Sequence, residues 1–314
     1  MDEIKVPIYL MTGFLESGKT SFTIQQDYFH TDGKTLLILC EEGEEEYDPA
    51  ILEANNTVVE VIENEEDFTT DRLVAMDILH QPERVIIEYN GMWLVSNFEK
   101  MQLPTGWGVE QQITCVDGST FQMYMANMKS IFMDMIKNTD MVIFNRCKKE
   151  DPLPTYRRGI KVANQRAEVI FEDEEGELGD IFQDEMPFDM NAPVIEILPE
   201  DYGIWFVDAM DHPENYEGKT VKFKARVMKP RGMGSKFFVP GRTAMTCCAD
   251  DTTFLGYVCK SAYAPKLTPG EWVEVTAKVG IEKRNEYQGE EGIVLDAEHV
   301  EQCDPLEDEM VYFN

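Results

Sequence analysis

The first half of the chain alternates short apolar runs with stretches whose apolar residues recur at helical spacing. Runs such as residues 34–40 (KTLLILC) are almost continuously apolar, which is typical of strands covered on both faces. Strands that alternate with helices form a mostly parallel sheet, with a ligand crevice at the carboxyl ends of the strands. The pattern predicts strands at 6–11, 34–40, 57–62, 84–88, 111–116, 141–144 and 167–171, and helices at 21–29, 67–79, 119–137 and 154–165.

The pattern changes in the second half, where apolar and polar residues alternate with period two. Residues 219–228 (KTVKFKARVM) alternate in this way, and so do residues 272–279 and 293–297. Shorter strands, with Gly and Pro turns between them, are predicted at 236–239, 243–248 and 254–259. Such a series favours a small closed or partly closed barrel of the oligonucleotide-binding (OB) type. The predicted organisation is an α/β domain over residues 1–185, a linker with a short helix over 186–217, and a small all-β, OB-like barrel over 218–314.

Charge and composition narrow the classes of function. Sixty acidic and 28 basic residues give a formal net charge of −32, which repels a phosphate backbone, so nucleic acid is not an expected partner. No apolar run approaches the roughly 18 residues that a membrane helix needs. The 7 cysteines are odd in number and mostly isolated, which fits a reducing compartment better than a disulfide framework. We therefore expect a cytoplasmic protein.

The most specific motif lies between the first predicted strand and the first predicted helix. Residues 13–20 (GFLESGKT) fit the phosphate-binding pattern G-x-x-x-x-G-K-[ST]. The glycines let the backbone turn its N–H groups towards a triphosphate, Lys19 supplies a charge to the β- and γ-phosphates, and the Thr20 hydroxyl is a Mg²⁺ ligand. This predicts a P-loop NTPase whose nucleotide-binding residues here are Gly13, Glu16, Ser17, Gly18, Lys19, Thr20 and Ser21.

Other residues at the predicted strand ends complete this site. Glu88 ends a buried strand, where its carboxylate holds Mg²⁺ directly or through water, and Gly91 can bring a backbone N–H to the γ-phosphate. The alternatives are a strand-terminal carboxylate and an ordinary turn. In the acidic loop 41–46, Glu44 is the candidate that orients the attacking water or binds a metal ion, against a solvated charge run. Asp117 either polarises the site or caps the following helix.

Together these motifs resemble the CobW family of metal-linked GTPases. The resemblance covers about the first 170 residues and rests on segments 13–20, 41–44, 87–91, 116–117 and 145–146. It implies a GTPase of the metallochaperone group with Mg²⁺, a metalloprotein partner and a nucleotide-dependent homodimer. It also implies catalytic roles for Lys19, Glu44 and Glu88, and nucleotide contacts for Asn145 and Arg146.

The chain departs from that family at two motifs. Residues 61–66 (VIENEE) contain none of the cysteines of the family's metal-binding motif. Lys148 stands where the family has an aspartate, whose carboxylate accepts hydrogen bonds from guanine, and a lysine cannot accept them. The sequence therefore leaves GTP or ATP open as the nucleotide, unless Glu150 or Asp151 supplies the missing carboxylate.

The second half resembles an uncharacterised bacterial family found with predicted membrane permeases. The resemblance rests on segments 240–242, 244–250, 270–273 and 310–312, and it implies a permease or transport partner. Cys247 and Cys248, with Cys259 further along the chain, are a candidate thiolate site for Zn²⁺. The alternative is a set of buried, unreactive barrel cysteines.

The function predicted from the sequence is an Mg-dependent triphosphatase of CobW type. GTP is the expected substrate, and its hydrolysis is coupled to metal handling or transport through the C-terminal barrel. The alternative is a nucleotide-binding regulatory or scaffold protein with little turnover that acts on a membrane permease.

Overall fold

A computed structural model describes residues 4–179, 186–246 and 251–312. The described chain divides into two compact units, the first made of residues 4–153 and 163–179, and the second of residues 154–162, 186–246 and 251–312. Within these ranges, every helix is too short or too polar to cross a bilayer.

The first unit has the alternation of strands and helices that the sequence predicts. In chain order, the elements from its start to residue 179 are β1 (Val6–Thr12), α1 (Lys19–Ile24), β2 (Thr35–Leu39), α2 (Pro49–Ala54), β3 (Thr57–Val61), α3 (Thr70–His80), β4 (Arg84–Glu88), α4 (Val95–Glu99), β5 (Trp107–Asp117), α5 (Phe121–Ile136), β6 (Met141–Asn145), α6 (Leu153–Ala163), β7 (Glu168–Asp173) and β8 (Gly176–Glu177).

These strands form one sheet in the order β3-β2-β4-β1-β5-β6-β7-β8, parallel throughout except for β8. The predicted mostly parallel sheet is confirmed. Leu36, Leu37 and Ile38 of β2 are fully buried, because the sheet is covered on both faces. In the register of β1 and β4, Met11 is opposite Glu88. The end of β4 therefore lies beside the start of the phosphate loop.

Two short helices of this unit were not predicted. Helix α2 has six residues, begins with Pro49 and is capped by Asp48, whose side chain accepts a hydrogen bond from Ala50 N at 2.8 Å. Helix α4 has five residues. Helices of five or six residues have fewer than two turns, so the apolar spacing does not repeat and the caps are their main sequence signal.

The second unit is a β-barrel with a helix packed on its core. After α6, whose residues 154–162 belong to this unit, its elements are β9 (Ile195–Glu196), α7 (Tyr202–Asp211), β10 (Thr220–Met228), β11 (Phe237–Met245), β12 (Thr252–Gly256), β13 (Val258–Lys260), β14 (Trp272–Lys283), β15 (Glu291–Gln302) and β16 (Met310–Val311).

Five of these strands close the barrel in the order β10-β11-β13-β15-β14 and back to β10. Neighbouring barrel strands are antiparallel except for β13 and β15, which are parallel. Alternate residues of β10 face the interior, as the period-two pattern predicts: Val221, Phe223, Ala225 and Val227 are all buried. The predicted all-β barrel is confirmed.

Three strand predictions in the barrel were wrong in their bounds. Residues 236–239 and 243–248 were predicted as separate strands, but residues 237–245 form the single strand β11, which runs through Pro240 and Gly241, and residues 247–248 lie outside the described residues. A Cβ on Gly241 would lie 2.3 Å from Leu255 O, so this glycine allows β11 and β12 to approach and does not mark a turn. The predicted strand 254–259 is instead divided at Tyr257 into β12 and β13.

The segment predicted as a linker contributes to the core of the second unit. Trp205 of α7 is 1% exposed, and its ring lies 4.8 Å from that of Phe223 and 5.6 Å from that of Tyr257. The Tyr257 hydroxyl donates a hydrogen bond to Phe206 O. Helix α7 therefore covers part of the barrel core.

Candidate functional site

The phosphate loop connects β1 to α1, and three of its residues, Gly13, Glu16 and Gly18, have positive φ angles. Gly18 has φ +91°, and a Cβ there would lie 2.5 Å from Asn145 Nδ2, so only glycine fits. Glu16 has φ +60°, a left-handed conformation that non-glycine residues adopt at an energetic cost. The surrounding contacts hold it there, because Glu16 O accepts a hydrogen bond from Arg146 at 2.9 Å and its Oε1 accepts one from Glu44 N at 2.7 Å.

Lys19 extends under the loop and is 5% exposed. Its Nζ donates hydrogen bonds to Gly13 O at 3.0 Å and to Phe14 O at 2.9 Å, and it forms an ion pair with Glu41. The ammonium group is therefore fixed at the mouth of the loop by two carbonyl groups and one carboxylate.

Thr20 and Glu88 bring two oxygen ligands together at the carboxyl end of β4. Thr20 Oγ1 donates a hydrogen bond to Glu88 Oε2 at 3.1 Å, and the Tyr47 hydroxyl donates one to Glu88 Oε1. Burial raises the pKa of the Glu88 carboxyl above its usual value, against the hydrogen bond from Tyr47 and the charge of Lys19. A hydroxyl and a carboxylate are oxygen ligands of the kind that Mg²⁺ takes, so these residues fit that ion.

Gly91 packs directly against the phosphate loop. A Cβ at this position would lie 2.6 Å from Gly13 O and 2.7 Å from Phe14 Cα, so a side chain would displace the backbone of the loop. The Gly91 N–H donates to Glu41 Oε2 at 3.1 Å. Glu41 thus bridges Gly91 and Lys19, the two groups that the sequence predicts at the γ-phosphate.

The end of β6 supports the other side of the loop. Asn145 Nδ2 donates to Ser17 O at 2.7 Å, and Arg146 forms an ion pair with Asp117 at 2.6 Å. Asp117 Oδ1 also accepts hydrogen bonds from the backbone N and the hydroxyl of Ser119, at 2.9 and 2.6 Å, so it caps this turn as well. Two buried atoms, Ser17 Oγ and Asn145 Oδ1, have no hydrogen-bond partner among residues 4–179, which fits a polar ligand at this loop.

A cavity of about 430 Å³ opens above the loop. Two cationic side chains, Lys19 and Arg146, line it. The carboxylates on its wall outnumber them and come from Glu16, Glu41, Glu42, Glu45, Glu46 and Glu88. A triphosphate in this cavity needs a cation with it, because the wall carries a net negative charge.

Glu44 differs from the other predicted site residues because it is exposed and does not line this cavity. Its role as the residue that orients the attacking water stays a prediction. Sequence reasoning missed Glu41, which pairs with Lys19, and Tyr47, which donates a hydrogen bond to Glu88. The available signal for Glu41 was its position directly after a buried strand, where side chains reach the ligand crevice.

The cysteines of the barrel leave the zinc prediction open. Cys247 and Cys248 lie outside the described residues. Cys259 is fully buried, and burial raises the pKa of its thiol, which opposes the thiolate form that binds metal. Within residues 4–179, 186–246 and 251–312, no three metal-binding side chains come together.

A phosphate loop between a buried strand and a helix, followed by an acidic residue at the end of a neighbouring parallel strand, defines a P-loop nucleoside triphosphatase. The model of the CobW/HypB/UreG nucleotide-binding domain matches residues 7–171. The chain belongs to this family, and the resemblance to CobW proteins is confirmed. The model of the DUF1980 C-terminal domain matches residues 177–313, which confirms the fusion.

Comparison with solved structures also finds similar chains. The Zn(II)-bound YjiA GTPase from E. coli is 14% identical, with 82% of this chain and 89% of that chain covered and a TM-score of 0.44. A Zn(II)-bound triple mutant of YjiA is 15% identical, with the same coverage and a TM-score of 0.43. The mitochondrial single-stranded DNA-binding protein Rim1 from S. cerevisiae is 10% identical, with 28% of this chain and 97% of that chain covered and a TM-score of 0.18. Comparison with curated proteins gives no match.

Proposed function

We propose that this protein binds GTP with Mg²⁺ in the cavity above the phosphate loop and hydrolyses it. One observation carries the proposal: Lys19, Thr20 and Glu88 line this cavity together with Glu41, whose carboxylate accepts a hydrogen bond from the Gly91 N–H. These are the groups that phosphoryl transfer needs, because its catalysis is mainly positioning and charge stabilisation.

Each group has a distinct role in the proposal. Lys19 binds the β- and γ-phosphates, Thr20 and Glu88 hold Mg²⁺, and the Gly91 N–H contacts the γ-phosphate. The ion, when bound, neutralises charge on the phosphate oxygens. Asn145 supports the loop through Ser17 O, and Arg146 lies on the wall of the cavity beside it.

The choice of GTP over ATP rests on the family to which the chain belongs. Calorimetric titration of the full chain with each nucleotide in the presence of Mg²⁺ tests it. We expect GTP to bind at least about tenfold more tightly, a difference of ~1.4 kcal/mol in binding free energy. Equal affinities would show that the site does not select guanine, and binding of neither nucleotide would refute the proposed function.

Changes at the metal-binding pair should weaken the response to Mg²⁺. We expect Thr20→Val and Glu88→Gln each to raise the Mg²⁺ concentration for half-maximal nucleotide binding by about tenfold or more. Thr105→Val, an exposed threonine, is the matched control and should leave the titration unchanged. Unchanged Mg²⁺ dependence in both site variants would show that the ion is held elsewhere.

We also propose that hydrolysis acts through the C-terminal barrel on metal handling or transport, in the cytoplasm, with a permease or a metalloprotein as partner. The match of this half to the DUF1980 C-terminal domain supports a functional domain separate from the nucleotide-binding domain. The parallel pairing of β13 and β15 within a closed five-strand barrel supports an OB-type fold. A nucleotide-dependent homodimer and a Zn²⁺ site at Cys247, Cys248 and Cys259 remain proposals from the sequence.

A second candidate function is a nucleotide-binding regulator with little turnover. Lys148 in place of the family's aspartate favours it, as does the ion pair that already occupies Lys19. Steady-state phosphate release separates the two functions, since a regulator of this kind would bind GTP without a measurable rate above buffer.

A further inference from the structure

Glu41 occupies both donors that the proposed function assigns to the γ-phosphate. One carboxylate oxygen forms the ion pair with Lys19 Nζ, and the other accepts the Gly91 N–H at 3.1 Å. A carboxylate is an anion with two acceptor oxygens, so it satisfies a lysine and a backbone N–H in the same way as two oxygens of a phosphate. Glu41 is 12% exposed, so these contacts are made largely out of water.

The rest of the same loop covers the metal side of the site. The Tyr47 hydroxyl donates to Glu88, and Glu45 accepts a hydrogen bond from Ser21. Segment 41–47 therefore contacts the lysine, the γ-phosphate donor and the candidate Mg²⁺ ligand at the same time.

We propose that Glu41 determines how the site discriminates between a nucleoside triphosphate and a diphosphate, by occupying the γ-phosphate position until a triphosphate displaces it. The inference rests on the proposed nucleotide site. A diphosphate has no γ-phosphate, so Glu41 keeps its contact with the Gly91 N–H while the β-phosphate contacts Lys19. A triphosphate must break the Gly91 contact as well, because its γ-phosphate and the Glu41 carboxylate are two anions that cannot share this donor.

Displacement of Glu41 requires the loop to move. Once the γ-phosphate takes Lys19 and Gly91, the Glu41 carboxylate has lost both contacts and faces a second anion. The start of segment 41–47 must then leave its present position. The presence of the γ-phosphate is thereby converted into a movement of a surface loop, as in other nucleotide switches.

Three variants of the full chain separate geometry from charge. Glu41→Gln removes the anion at nearly constant size. Glu41→Asp keeps the charge but is one methylene shorter, so it cannot span both donors. Glu42→Gln makes the same charge change on the wall of the same cavity, at an exposed residue that no bond within residues 4–179 joins to Lys19 or Gly91.

The measurement is calorimetric titration of each variant and of wild type with Mg²⁺ and either GDP or the non-hydrolysable imido analogue of GTP. We expect the ratio of the triphosphate Kd to the diphosphate Kd to fall about tenfold or more in Glu41→Gln, because the triphosphate no longer has to displace an anion from the Gly91 N–H. The ratio should fall in the same direction in Glu41→Asp, and it should fall clearly less in Glu42→Gln, which removes one charge from the cavity wall without changing a contact of Lys19 or Gly91.

The outcomes distinguish this inference from the proposed function. An unchanged or increased ratio in both Glu41 variants, with wild type binding both nucleotides, overturns the inference alone. An equal fall in Glu42→Gln also overturns it, because the effect would then be one of charge and not of position. A wild-type chain that binds neither nucleotide overturns the proposed function and the inference with it.

Discussion

Replacing Lys19 by alanine is expected to lower steady-state phosphate release from GTP by about 10²- to 10³-fold, the usual cost of losing one preorganised donor to a developing charge. The Lys19 side chain is 5% exposed and its ammonium is held by Gly13 O and Phe14 O, so its position is set before the nucleotide arrives. The variant also removes the only cation that the described first unit pairs with Glu41, which adds repulsion towards the γ-phosphate.

Lys137→Ala is the matched control for this prediction, because Lys137 is an exposed lysine at the end of α5. It should release phosphate at the wild-type rate. Equal rates in wild type, Lys19→Ala and Lys137→Ala would remove the enzyme proposal and favour the regulator. The thermal unfolding of Lys19→Ala should be recorded alongside, so that a lost rate is assigned to the site and not to unfolding.

Trp205→Ala is expected to destabilise the barrel unit by about 3–5 kcal/mol, the usual cost of truncating a large buried aromatic residue. The ring is 1% exposed and contacts Tyr202, Phe223 and Tyr257 at centroid distances of 5.4, 4.8 and 5.6 Å. Its removal opens a cavity between α7 and the barrel wall. The measurement is hydrogen exchange of the β10, β14 and β15 amides in the full chain, which reports the opening of this unit by itself.

The control for the second prediction is Tyr263→Ala, because Tyr263 is an aromatic residue of the same unit that is 52% exposed. Its exchange should stay within about 0.5 kcal/mol of wild type. Trp205→Phe should lie between the two, since it keeps an aromatic ring and removes an indole N–H that has no hydrogen-bond partner among the described residues. Equal exchange in Trp205→Ala and Tyr263→Ala would show that α7 does not stabilise the barrel.

Local patterns were sufficient for most elements of the fold. The continuous apolar run of β2 predicted a strand buried on both faces, and the alternation in β10 predicted a strand buried on one face. Each kind of burial gives its own pattern, because successive side chains of a strand point to opposite faces. Pro240 and Gly241 misled the prediction. Both residues are typical of turns, but here they lie inside β11, where Gly241 allows close approach to Leu255.

In the candidate site, too, some residues could be predicted from the sequence and others could not. The phosphate loop was recognisable because its function depends on consecutive backbone amides, and consecutive residues have a sequence spacing that can be read. Glu41 was harder to choose, because carboxylates are frequent in segment 41–46 and composition does not say which one turns inward. Glu44 was chosen from the sequence, yet its side chain is exposed and its backbone N–H bonds to Glu16.

The sequence by itself determined the two fold classes and the phosphate loop, since these follow from periodicity and from residues that are adjacent in the chain. The tertiary structure alone decided that Glu41, 22 positions after Lys19 and 50 before Gly91, contacts both of them, and that Tyr47 reaches Glu88. Such contacts depend on the parallel order β2-β4-β1, which brings the carboxyl ends of distant strands to one edge of the sheet. The order of residues along the chain does not show which side chains meet at that edge.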